Sequence, residues 1–265
     1  MRGIFTAGAL QSFLDAGYKP DELVGVSAGA SNSLSYVSGQ SGRGYRTNID
    51  YHGDKRYASW QSFARTGSYF GMDFIFGEIP NRLDPFDLQA FLASPIQYYA
   101  GVTDIFTGET VYFGKEDILS PNYLAIRASC SLPLLSPVVK FKGGHYLDGG
   151  VSSPIPINKA LADGCERLIV ILTKPRGFVR KRTSMPALYH LVLHKYPGIV
   201  KAMDQRHLVY NQTLQRIIQL EQENRALVLA PPDALTLDRF GKDKDQLEKA
   251  YEAGQQGGLA LLQKL

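Results

Sequence analysis

Cysteine is scarce: Cys130 and Cys165 are the only two in 265 residues. That excludes a disulfide framework, and no Cys/His spacing suits a structural zinc site. A reducing, cytoplasmic setting fits this usage. Long apolar runs are missing too. The longest candidate, Leu168 to Leu172, is strand-sized, far below the ~20 residues that span a bilayer. Met1-Arg2-Gly3-Ile4-Phe5 imitates the start of a leader, but Thr6, Gln11, Ser12 and Asp15 break its apolar stretch. Neither sign of charge is in large excess. The net charge of +4 is too small to point to nucleic acid. It is compatible with weak attraction to anionic lipid, and so with peripheral membrane contact. There is no internal repeat, low-complexity tract or linker, and a single domain is the simplest expectation.

What is present is an ordinary globular balance, 44% hydrophobic and 20% charged. Aromatics are plentiful, with 15 Tyr and 13 Phe. They suit an apolar pocket and equally suit a plain core.

Leu10, Phe13 and Leu14 have helical spacing, so a helix is expected over about residues 4 to 16, ended by Gly17. Glu22-Leu23-Val24 reads as a short strand, and Ala30 to Val37 as a helix. Residues 39 to 85 read as irregular. Asp84-Pro85-Phe86-Asp87 is expected to open a helix toward Leu92, with the proline at an early helical position. Hairpins are expected across Thr107-Gly108-Glu109 and Gly143-Gly144. Tyr123 to Ile126 reads as another short strand. Leu168 to Leu172 suits a buried parallel strand. Ile199 to Glu223 reads as a helix and Ala226 to Ala230 as a strand stopped by Pro231-Pro232. Lys244 to Leu262 is a helix interrupted near Gly257-Gly258.

Gly25-Val26-Ser27-Ala28-Gly29 is a G-x-S-x-G pentapeptide. A serine on a sharp strand-to-helix turn is thrust outward, where a carbonyl can reach it. Glycines two residues either side remove side chains that would collide with the turn. The N–H of Ala28 then sits at a helix start, able to stabilise an oxyanion. A tight turn with a surface serine is the plain alternative. Only a helix and a turn precede Ser27, which does not suit an ordinary α/β-hydrolase order.

The serine needs a group to take its proton. His190 and His194, four residues apart, share a helical face, but Tyr189 to His194 lacks the glutamate of a zincin motif. The other histidines are His52, His145 and His207. The stronger candidate is Asp148 in Leu147-Asp148-Gly149-Gly150-Val151, a carboxylate at a strand's end, although Asp-Gly is also a common turn.

Four segments together resemble the patatin-like phospholipase family: Met1 to Gly8, Gly25 to Ala30, Arg127 to Pro133, and Tyr146 to Val151, with Pro154-Ile155-Pro156 after the last. The resemblance covers about the first two thirds of the chain. The final third is similar to the tail of a bacterial branch of that family, through Leu237-Asp238-Arg239-Phe240 and Leu247 to Gly254.

The resemblance implies a three-layer α/β fold, with a mainly parallel central sheet flanked by helices. Residues 1–175 would form the catalytic region and residues 176–265 a mainly helical region packed on the same domain. It implies a Ser27–Asp148 dyad that forms an acyl-enzyme on a lipid or small ester substrate, with no cofactor and no metal. The nucleophile elbow and oxyanion site would comprise Gly25, Ala28 and Gly29, with Arg2 and Gly3 at the end of the family's glycine-rich oxyanion loop. The glycines of that loop and the family's first strand would precede Arg2, so the start lies upstream or the chain is truncated, and weak activity is expected of the chain as written. A catalytically weak lipid-binding or scaffold protein on the same fold is the alternative, and a histidine-dependent serine hydrolase a third.

Two further segments stand out. The aromatic stretch from Tyr45 to Phe76 would line an acyl pocket or simply pack an insertion. Lys174-Pro175-Arg176 and Arg180-Lys181-Arg182 would meet lipid headgroups or form a solvated loop.

Overall fold

The computed structural model describes residues 3–183, 185–233, 235 and 243–265. Helix α1 (Ile4–Asp15) leads through a turn into β1 (Glu22–Val26), and α2 (Ala28–Val37) follows one residue later. The segment expected to be irregular is largely short helical turns: α3 (Arg43–Tyr45), a π-type turn (Arg46–Asp50), α4 (Trp60–Thr66) and a longer π-type segment (Phe74–Leu83). Helix α5 (Leu88–Ala93) starts later than expected. Its cap is Asp87, which accepts from the Ala90 N–H, so Pro85 stays outside.

Strands β2 (Gln97–Asp104) and β3 (Thr110–Phe113) form the first expected hairpin, and β4 (Val139–Phe141) and β5 (Gly144–Asp148) the second. Between them, Leu124–Cys130 is helix α6 and not the strand expected at Tyr123–Ile126. Ala125, Ile126, Ala128 and Ser129 of α6 are buried. Their helical spacing, continued through the alanines, outweighs the short apolar run that suggested a strand. Helix α7 (Ile157–Ala162), β6 (Leu168–Ile171), α8 (Pro186–Val192), α9 (Pro197–Gln222), β7 (Ala226–Leu229) and α10 (Lys244–Leu262) complete the chain.

The architecture is α/β, with sheet flanked by helices. The five-stranded sheet of β1 to β5 is mixed: β1–β2 is parallel, while β2–β3, β2–β5 and β4–β5 are antiparallel. β6 and β7 form a separate parallel pair.

The register of β2 positions the site. Gly101 pairs with Val26 of β1 and with Tyr112 of β3, and Val102 pairs with Asp148 of β5 and with Val111 of β3. A strand has two edges, and β3 occupies one of them from Ala100 to Thr103. So β1 and β5 share the other edge end to end, and their C-terminal ends converge over Gly101–Val102.

The main core joins α1, α2, α5, β2 and α6 through Phe5, Phe13, Leu34, Phe91, Tyr98 and Ile126. Helix α10 runs unbroken through Gly257-Gly258 because it lies tightly along α1. A Cβ at Gly254 or Gly258 would strike the Phe5 carbonyl or the Ser12 hydroxyl. The close approach that needs glycine outweighs its helix-breaking tendency. The aromatic stretch builds a small core of its own around Tyr57, Tyr69 and Phe74. Among the described residues no helix is long and apolar enough to cross a membrane.

Candidate active site

Ser27 is the single residue between β1 and α2, with φ 52° and ψ −129°. A non-glycine residue in this region costs about 1–3 kcal/mol and persists only where its surroundings hold it. Here they do. The Ser27 N–H donates to Ser129 Oγ at 2.8 Å, and Ser129 Oγ donates to the Gly101 carbonyl at 2.7 Å. The Tyr98 hydroxyl donates to the Ala30 carbonyl at 2.8 Å, fastening the start of α2 to β2.

The two glycines of the pentapeptide are not equivalent. A Cβ at Gly25 would lie 2.6 Å from the Ala30 nitrogen and 2.7 Å from its Cα, whereas one at Gly29 would meet nothing within 4 Å. Only the first glycine is sterically required, and the symmetrical expectation is corrected on this point. Ala28 is the first residue of α2, so its N–H has no acceptor within that helix. Gly3 packs against it, where a Cβ would sit 2.5 Å from the Ala28 Cβ, and the Gly3 carbonyl accepts from Asn32 Nδ2 at 2.7 Å. Arg2 lies outside the described residues, as does the Leu237–Phe240 segment.

Asp148 ends β5 and is 1% exposed. Its Oδ2 accepts from Ser27 Oγ at 2.5 Å, and its Oδ1 accepts from the Gly150 N–H at 2.7 Å. The Asp148 N–H donates to the Ser131 carbonyl at 2.7 Å, and Thr103 Oγ1 donates to the Asp148 carbonyl at 2.8 Å. Gly149 passes so close to the Gly101 carbonyl that no side chain fits between them. From α9, Arg206 Nε donates to the Gly150 carbonyl at 2.6 Å, holding the far side of the same turn.

Ser129, Thr103 and Arg206 carry no recognisable signal in the sequence. Ser129 lies inside the Arg127–Pro133 segment, but nothing there assigns it a partner. The histidines go elsewhere. His190 meets Asp204 at 3.0 Å and His194 Nδ1 meets the Leu191 carbonyl at 2.8 Å, while none of the five lines the cleft around Ser27. Among the described residues no three Cys, His, Asp or Glu side chains converge as metal ligands.

Replacing Ser129 with alanine leaves the Ser27 N–H without this acceptor in a water-poor place. The expected result is a loss of about 1–3 kcal/mol in stability. If Ser27 is the nucleophile that the sequence predicts, a fall of about tenfold or more in ester turnover is expected to accompany it, because Ser27 loses its fixed position. Denaturant melts and ester turnover on the same preparation check both.

The cleft has a volume of about 1020 Å³ and lies between β1 and β6. Tyr57, Phe70, Met72, Ile75 and Phe76 of the aromatic stretch line it, together with Leu132 and Ile155. Burial, and then the nearby Asp148 carboxylate, push the Cys130 thiol well above its usual range, so this cleft cysteine stays a neutral thiol.

Glu22, at the start of β1, is pushed up to about 7 by desolvation and by the neighbouring Asp163 carboxylate. In the unfolded chain it ionises near 4.5. The folded state therefore holds a proton that the unfolded chain has lost. Stability falls as pH rises from about 4.5 to 7, and solvent screening keeps the effect to about 1 kcal/mol. Glu22→Gln is expected to remove this slope. The variant should be more stable than wild type at pH 8 and equal to it at pH 4, as read from melting temperatures across that range.

The patatin-like phospholipase family model matches residues 1–161, and a domain of unknown function (DUF6363) matches residues 196–265. An uncharacterized Escherichia coli (strain K12) protein, YjjU, is 29% identical over 187 residues, covering 66% of this chain and 49% of that protein. The chain thus spans about half the length of that curated relative. The match to the first model takes in the Ser27 turn, β2, α6 and the Asp-Gly-Gly turn that meet over Gly101, and the chain belongs to the patatin-like phospholipase family.

Proposed function

We propose that this protein is a serine acyl hydrolase that cleaves carboxyl esters of lipids. Ser27 Oγ attacks the ester carbonyl carbon while its proton passes to Asp148 Oδ2. The oxyanion that forms is held by the Ala28 N–H at the start of α2 and by neighbouring backbone donors around Gly3. Collapse of the tetrahedral intermediate breaks the ester bond. The leaving alcohol takes the proton from Asp148, and the acyl group stays on Ser27. A water then replaces the alcohol, gives its proton to Asp148 and attacks the acyl-enzyme. The fatty acid leaves, and Asp148 returns the proton to Ser27.

The observation that carries the proposal is the 2.5 Å hydrogen bond from Ser27 to the buried Asp148. An unperturbed aspartate, at about 3.9, is a weak base at neutral pH. Short contact and burial compensate: at 1% exposure the carboxylate has lost the water that would otherwise solvate it. Tyr57, Phe70, Ile75 and Phe76 give the cleft the lining an acyl chain needs.

Purified protein is expected to release fatty acid from p-nitrophenyl esters and phospholipid, and Ser27→Ala to reduce this to the rate of buffer. Turnover by wild type that survives Ser27→Ala, or no turnover by wild type on any carboxyl ester, would contradict the proposal.

A further inference from the structure

We propose that α8 and the loop before it form a docking surface for an anionic lipid bilayer. Three observations converge. First, α8 turns an apolar face outward. Leu188, Leu191 and Val192 follow helical spacing and are exposed, Leu191 at 72%, and Met185 and Val179 in the segment before them are exposed too. The opposite face, Tyr189 with Leu193 just beyond the helix, is buried against Leu147 and Val151. Exposed apolar side chains gathered on one face of a short helix mark a contact site.

Second, the charges carried by the segment itself have one sign. Between Glu166 and Asp204 the sequence holds eight Lys and Arg and no acidic residue. Arg176 and Arg182 are paired with Glu221 and Asp204. Lys181 and Lys195 stand exposed on either side of the apolar residues. Exposed apolar side chains flanked in sequence by exposed lysines suit the boundary between acyl chains and anionic headgroups. A protein partner would need acidic complementarity around an apolar centre, and a second copy of this chain would bring like charges together.

Third, the loop before α8 reaches the cleft. Leu147 and Val151, on which α8 rests, flank Asp148, and Arg180 of the loop lines the same cleft as Ser27. Docking α8 would bring the mouth of the cleft to the lipid surface. The proposal rests on the acyl-hydrolase reading for the reason to dock, but binding itself is measurable without turnover.

The test uses Ser27→Ala protein and vesicles of phosphatidylcholine alone or mixed equally with phosphatidylglycerol. Flotation is expected to recover the protein with the mixed vesicles, weakly with the neutral ones, and less at high salt. Leu191→Glu with Val192→Ser, and separately Lys181→Glu with Lys195→Glu, are expected to lower partitioning about tenfold or more. On the Ser27 background the same exposed substitutions should leave hydrolysis of a short water-soluble ester unchanged, reporting an intact fold. Equal partitioning of wild type and variants, or binding indifferent to phosphatidylglycerol, would overturn the proposal. A dimer in light scattering that the Leu191 and Val192 substitutions dissolve would overturn it in favour of self-association. Failure of ester hydrolysis with vesicle binding intact would sink the catalytic reading and leave the surface standing.

Discussion

Asp148→Asn is expected to lower kcat on a soluble ester by about 10³–10⁴-fold with little change in stability. The substitution keeps the shape of the side chain. Oδ1 can still accept from the Gly150 N–H, as the carboxylate does at 2.7 Å. That hydrogen bond orients the amide so that its NH₂ group faces Ser27 Oγ, where Oδ2 now accepts at 2.5 Å. An amide NH₂ donates and cannot take a proton. The hydroxyl is then left without a base while its position is preserved. Because Asp148 is 1% exposed, its replacement also removes a charge held away from water. The melting temperature is expected to stay within about 4 °C of wild type or to rise. A large drop in stability alongside the drop in rate would mean that Asp148 serves the fold, not the chemistry.

Gly25→Ala and Gly29→Ala are expected to behave as opposites, although the two glycines look alike in the motif. At Gly25 the added methyl would lie 2.6 Å from the Ala30 nitrogen, which belongs to the backbone and cannot swing aside. Either β1 or the first turn of α2 must shift, and Ser27 with it. A displacement near 1 Å at a nucleophile costs about 10²-fold in rate, and forcing a side chain into a packed backbone adds about 1–3 kcal/mol of instability. At Gly29 the methyl enters open space within a helix. Alanine there should stabilise by about 0.5–1 kcal/mol and leave kcat within about threefold. Equal losses from both substitutions would show that the elbow is not held by the Gly25–Ala30 contact.

These two predictions draw on different kinds of information. The turn at Ser27 was legible because its signals are local: a short strand, a G-x-S-x-G turn and small residues opening a helix. Both hairpins were legible for the same reason, each marked by glycine between β-prone runs. The meeting of Ser27 with Asp148 is a different matter. It depends on β1 and β5 sharing one edge of β2 end to end, a register set by packing across residues 121 apart in sequence. Motif resemblance suggested the pair, but no spacing in the sequence placed the two oxygens together.

Tertiary packing also explains the departures. Residues 124–130 are helical because their buried small side chains fit beneath β2 and β5. The glycines of α10 do not break it, because α1 needs the space they leave. The aromatic stretch folds into short helical turns whose spacing is too brief to register as periodic. Arg206 was invisible for a plainer reason. A single arginine on a long amphipathic helix looks like a solvated charge until its guanidinium is seen to hold the Gly150 carbonyl.

The most direct measurement of the central claim is to treat the protein with a fluorophosphonate and locate the adduct by mass spectrometry of its peptides. The adduct is expected on Ser27 in wild type and in His190→Ala and His194→Ala. It should be absent from Ser27→Ala and nearly absent from Asp148→Asn. Modification of another residue in wild type, or Ser27 labelling at an undiminished rate in Asp148→Asn, would contradict the claim that Asp148 activates Ser27.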